Sequence, residues 1–148
     1  MTVVAYKEGV MASDSMISLR ETGDKLIFGP KVCKIGSALV GASGSAQILR
    51  KIKEIKSHVN ILNRISSILD DDEEDHDFDI MVLLCGKKFV FDNSVVPCEI
   101  YDEFFAIGSG SSLALGAMSF GASAEEAVRV AIKHNVFCGG EVYSVSLE

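Results

Sequence analysis

Runs of β-branched and apolar residues open the chain. Residues 2–7 are rich in them and 9–14 follow after one short turn, so together they predict a β-hairpin. A second strand pair is expected over 25–28 and 32–40, broken at Gly29-Pro30, and Gly41 to Ser45 reads as a turn of small residues. The period then changes. Ile48, Ile52, Ile55, Val59 and Leu62 fall on one helical stripe, with Arg50, Lys51, Lys53 and Lys56 on the other side, where solvent is expected. This helix, or pair of short helices, ends in an acidic block. Residues 80–85 and 88–91 predict a further hairpin turned at Gly86-Lys87, and 104–107 a short strand leading into Gly108-Ser109-Gly110. A helix over 111–120 follows. The next is opened by the capping box Ser123-Ala124-Glu125-Glu126 and runs to about His134. Gly139-Gly140 ends it, and 141–146 form a last strand. The order ββββ, α, ββ, αα, β places grouped helices on the faces of antiparallel sheets, an α+β arrangement.

Composition narrows the picture. The 148 residues fit one domain, expected over 1–148. Hydrophobic residues make up 48%, and mean hydropathy is +0.28, which calls for a large core, an oligomer interface, or both. The longest apolar run, Ile80 to Cys85, is far short of the roughly 20 residues of a membrane helix, and no basic segment precedes an apolar leader. The expectation is a cytoplasmic protein that does not enter a membrane. Net charge is −7, and eight of the 21 acids lie between Asp70 and Asp79, a block expected to be a solvated loop. Such a chain is poorly suited to nucleic acid, whose phosphates need Lys and Arg. Cys33, Cys85, Cys98 and Cys138 form no CxxC pair, so reduced thiols are expected, with no metal and no cofactor. His58, His76 and His134 are expected at the surface or at helix ends.

Several segments resemble one family in the same order. Thr2-Val3-Val4-Ala5-Tyr6-Lys7 followed by Gly9-Val10-Met11-Ala12-Ser13-Asp14-Ser15 is similar to the first hairpin of proteasome β subunits and the bacterial HslV peptidase. Lys31-Val32-Cys33-Lys34-Ile35 resembles their lysine strand. Val40-Gly41-Ala42-Ser43-Gly44 resembles the glycine turn before their first helix, and Ala106-Ile107-Gly108-Ser109-Gly110-Ser111 their serine turn. Cys138-Gly139-Gly140 sits where they carry a small residue followed by two glycines. Any one string is common; five in order, spanning both ends of the chain, are specific. The match is weakest over 52–79, where the family has two full helices and this chain has room for less.

The resemblance implies a four-layer αββα sandwich, the N-terminal-nucleophile hydrolase fold, and a chemistry. A threonine hydroxyl is a weak nucleophile until a base takes its proton, and an N-terminal threonine can use its own α-amine. Thr2 would become that residue once Met1 is removed. Lys31 would supply the cation that favours the alkoxide, Asp14 would hold Lys31, Gly44 would donate its backbone N–H to the oxyanion, and Ser109 would help move the amine's proton. Asn135 stands where the family usually has an aspartate near the amine, and Cys138 where it often has serine. By position, Ile17, Gly29, Cys33, Ala42 and Ala46 would shape an apolar substrate pocket. An ungapped match of Ala5-Tyr6-Lys7 puts Met1 in the nucleophile column, so the face that Thr2 takes decides the matter. Two function classes follow. One is a threonine endopeptidase within a homo-oligomeric ring or double ring, acting on protein or peptide substrates and fed by an ATP-dependent unfoldase. The other is a non-catalytic assembly or binding protein that keeps the fold.

Overall fold

Side chains alternate between two apolar environments along the central strands, and this alternation builds the layers. The computed structural model describes residues 2–19, 22–71 and 77–147. Met1 and residues 72–76 of the acidic block, His76 among them, lie outside the described residues.

Strands β1 (Val4–Lys7), β2 (Val10–Ser13), β10 (Phe104–Ile107) and β11 (Tyr143–Ser146) form an antiparallel sheet in the order β10-β1-β2-β11. A second antiparallel sheet has the order β5-β6-β7-β8-β9, with β5 (Val32–Ile35), β6 (Ala38–Ser43), β7 (Asp79–Leu84), β8 (Lys87–Asp92) and β9 (Cys98–Ile100). A separate hairpin of β3 (Met16–Ser18) and β4 (Lys25–Ile27) stands beside them.

The two sheets face each other across Val4, Tyr6, Met11, Leu39, Met81, Leu83 and Val90. Val3, Ala5 and Ala12 point the other way, onto α3 (Ser111–Ser119) and α4 (Ala124–His134). Ala38, Val40, Ile80 and Val82 point onto α1 (Ala46–Lys53) and α2 (Ile61–Asp70). The result is a four-layer αββα sandwich. Strands buried on both faces lose the polar half of their alternation, and this accounts for much of the apolar composition. The sheets approach closely at Gly41, where a Cβ would meet Val4 and come within 3.0 Å of the Met11 sulfur.

Several predicted elements shift. The expected pairing of 25–28 with 32–40 does not occur: β4 pairs with β3, and 32–40 is two strands turned at Gly36-Ser37. Gly41 to Ser43 belongs to β6, leaving the turn at Gly44. The later hairpin turns at Cys85-Gly86, both left-handed at φ 52 and 77, which matches the twist of the strands it joins. The helical stripe divides between α1 and α2. Val59 falls in the connection and is exposed. Ser123 caps α4 as a full capping box with Glu126. His58 accepts from the Ser37 N–H at 3.1 Å, tying the helical layer to the β5–β6 turn, and His134 ends α4 exposed. The four cysteines are free.

Candidate active site

β1 enters from Thr2, β2 leaves at Asp14 and β5 begins after Lys31, so three chain segments end at one corner between the sheets. Val4 faces the opposite sheet, and Thr2, two residues earlier, takes the same side. Its hydroxyl donates to Asp14 Oδ1 and accepts from Lys31 Nζ. The register question is therefore answered by geometry: Thr2 lies on the lysine side.

All three side chains are buried, with Thr2 1%, Asp14 0% and Lys31 3% exposed. A buried ammonium and carboxylate are tolerable only when paired and fully hydrogen-bonded. Lys31 Nζ meets this requirement with three acceptors: Asp14 Oδ1 at 2.9 Å, the Met16 carbonyl at 2.5 Å and Thr2 Oγ1. Asp14 Oδ1 also accepts from the Val3 N–H at 3.2 Å, and Oδ2 from the Gly139 N–H at 3.1 Å. Ser13 Oγ accepts from the Lys31 N–H and donates to the Asp14 carbonyl, fixing both backbones. Burial lowers the pKa of Lys31, while the charge and hydrogen bond of Asp14 pull it back up. The lysine thus holds its proton less firmly than one in water, and the carboxylate opposes that loss.

The serine turn closes the site from the other sheet edge. Gly110 N–H donates to the Thr2 carbonyl at 3.1 Å, and Ser109 Oγ donates to the same oxygen at 3.4 Å. Asn135, at the end of α4, donates through Nδ2 to the Ser109 carbonyl at 3.0 Å. Cys138 is buried against this turn. Gly110 leaves room for its sulfur, which a Cβ would approach to 2.9 Å. Burial, then the charge of Asp14, raises the Cys138 thiol pKa, so it does not carry an activated thiolate.

Gly44 is exposed at the foot of α1, with φ of 110. The Asp77 carbonyl occupies the place of a Cβ there, so both conformation and space require glycine. Ser45 caps α1 by accepting from the Ile48 N–H. A cavity of about 640 Å³ lies between Gly44 and the Thr2–Lys31 pair. Ile17, Ala42 and Ala46 line it, and Gly29 and Cys33 do not. Cys33 packs at the edge of the helix-side core, where burial raises its thiol pKa. Leu19, Phe28, Leu49 and Gln47 are further walls, with Ser18, Ser45 and Asp77. Sequence reasoning missed these, together with the Met16 carbonyl and the Gly139 N–H. The Gly-Gly string after Cys138 was the available signal for the last.

The arrangement can be compared with known proteins. No protein-family model matches the chain, and a search of curated proteins finds no match. Solved structures do match. BPH of Thiobacillus denitrificans in complex with epoxomicin superposes with a TM-score of 0.68 at 21% identity, covering 99% of this chain and 98% of that one. Eukaryotic HslV from Trypanosoma brucei gives 0.66 at 19%, covering 98% of each. An Anbu (Gly-1) mutant from Hyphomicrobium sp. strain MC1 gives 0.71 at 11%, covering 99% of this chain and 81% of that one. The fold is therefore that of the HslV- and proteasome-like N-terminal-nucleophile hydrolases. Among the described residues no helix is long and apolar enough to cross a membrane.

Asp79 makes the site's surroundings pH-dependent. It faces Asp92 across β7 and β8, and burial, then the Asp92 hydrogen bond and charge, push its pKa from 3.8 up to about 6. A carboxyl with a raised folded pKa binds its proton more tightly in the native state. Stability therefore falls as pH rises from about 4 to about 6, and the penalty is complete above that range. Asp79→Asn is expected to raise the thermal midpoint at about pH 7.5 and to leave it nearly unchanged at about pH 4. Equal shifts at both pH values would contradict this.

Proposed function

We propose that the chain is a threonine-type peptidase subunit of a self-compartmentalised, proteasome-like ring, folded as one domain over 1–148. The observation that carries this reading is the Thr2 hydroxyl held between Lys31 and Asp14 at the rim of an apolar cavity. With Met1 removed, the Thr2 α-amine takes the hydroxyl proton while the oxygen attacks the scissile carbonyl. The Lys31 ammonium stabilises the alkoxide. The oxyanion of the adduct faces the Gly44 N–H at the start of α1, where the helix also favours negative charge. The amine then passes the proton to the leaving nitrogen, with Ser109 and Asn135 positioning this step. The C–N bond breaks, leaving an ester on Thr2 that water hydrolyses. Ile17, Leu19, Phe28, Ala42, Ala46 and Leu49 favour an apolar side chain on the acyl side of the cut.

Assembly into a homo-oligomeric ring or double ring is part of this reading. Leu26 at 46%, Ile27 at 69%, Val136 at 68% and Phe137 at 48% exposed are apolar surface that neighbouring subunits would cover. An ATP-dependent unfoldase in the cytoplasm would feed such a chamber. The alternative, a non-catalytic relative, is favoured by the neutral Asn135 beside Ser109, in the place of an acid.

The test combines hydrolysis of short apolar fluorogenic peptides with light scattering of the full chain. Turnover by an oligomer is the expected result. A stable monomer at micromolar concentration that cleaves nothing would overturn the proposal.

A further inference from the structure

A second cavity, of about 320 Å³, opens on the far side of Gly44. Gly44, Asp77, Asp79, Asp92, Asn93 and Ser109 are among its walls, and no lysine, arginine or histidine among the described residues lines it. The two cavities share Gly44 and Asp77 as the ridge between them. The larger one contains Thr2 and Lys31, and the smaller one contains Ser109.

This division sets the direction of a bound peptide. A carbonyl attacked by Thr2, with its oxygen toward Gly44, has one neighbouring side chain over each cavity. The acyl half stays bonded to Thr2 and so belongs in the cavity that Thr2 lines. The departing half lies beside Ser109, over the smaller cavity.

The smaller cavity is electrostatically one-sided. Asp79 and Asp92 are cross-strand partners, and the charge of Asp92 acts on Asp79. Like groups facing each other across a ladder are unfavourable. Asp77, at the ridge, adds to the negative potential felt by Asp79. Among the described residues the ion pair present is Lys31 with Asp14, which involves none of these three carboxyls. Among the same residues no set of three metal-ligating side chains is gathered. Phe78 gives the cavity an apolar wall beside the acids, a combination that suits a long aliphatic stem ending in a charge.

Resting on the peptidase reading, we propose that this cavity is the subsite for the residue immediately after the cut bond, and that it selects a lysine or arginine side chain there. The last two acids of the acidic block, Asp77 and Asp79, line it and are then specificity determinants rather than solvated loop. Their carboxylates accept the ammonium or guanidinium hydrogens, and Ser43 and Asn93 supply neutral acceptors at the same rim.

The test uses the full chain and three peptides that differ only in the residue after the cut: Lys, Ala or Glu. At about pH 7.5 and low salt, kcat/KM is expected to fall in that order, with Lys ahead of Glu by about tenfold, as partly exposed charge pairs allow. The Lys-over-Ala ratio is expected to shrink in Asp79→Asn and in Asp92→Asn, and with added salt in the unmodified chain. Cleavage of all three peptides at equal rates would overturn the subsite and leave the peptidase reading standing. So would a ratio untouched by both substitutions. Cleavage of none would overturn both.

Discussion

Lys31→Ala is expected to reduce peptide hydrolysis by about 10⁴-fold, the scale seen when a residue that orients and charges a nucleophile is lost. It is also expected to lower the free energy of unfolding by about 3–5 kcal/mol, because it strands one partner of a buried ion pair. Asp14 would keep its Val3, Gly139 and Thr2 donors but would lose its only ion-pair partner among the described residues. Loss of fold and loss of chemistry must therefore be separated. The double variant Lys31→Met with Asp14→Asn removes both charges, leaving neutral groups of similar size. It is expected to recover much of the stability and none of the activity. Urea denaturation alongside steady-state kinetics measures both. Hydrolysis retained in Lys31→Ala would show that the ammonium plays no part.

Thr2→Ala is expected to eliminate turnover while leaving the fold intact. The Lys31–Asp14 pair survives at 2.9 Å without the hydroxyl, so the cost in stability is about 1–3 kcal/mol, that of an unmet buried hydrogen bond. Thr2→Ser keeps an oxygen at the same place and should retain part of the rate. Ser109 has a hydroxyl, but its described partners are the Thr2 carbonyl and Cys138. Cys138 is the rival nucleophile, and burial raises its pKa, which argues against it. Full activity in Thr2→Ala would require one of these two instead.

How much of this the sequence revealed depended on the kind of signal each element left. The first hairpin was legible because β-branched runs met a Gly turn, and α4 because its capping box is a local pattern. The Lys31–Asp14–Thr2 grouping came from resemblance, not from spacing; the residues are far apart in sequence and meet only because β1, β2 and β5 end at one corner. Strands β3 and β9 span three residues each, too short to show a period. The turn at Gly36-Ser37 was hidden within an apolar run, since β5 and β6 contribute to cores on both faces of their sheet. Phe28 and Leu19 line the cavity although nothing local marks them, because its walls come from distant segments. The partnership of Asp79 with Asp92 is a matter of cross-strand register, which residue type alone does not disclose.

The central claim is that Thr2 becomes an N-terminal nucleophile. Intact-mass spectrometry before and after incubation with a threonine-directed electrophile, followed by peptide mapping, tests it most directly. The account predicts a chain lighter by one methionine residue and a single covalent addition located on Thr2. A chain that retains Met1, or a Met-free chain whose Thr2 stays unmodified while another residue is labelled, would contradict it.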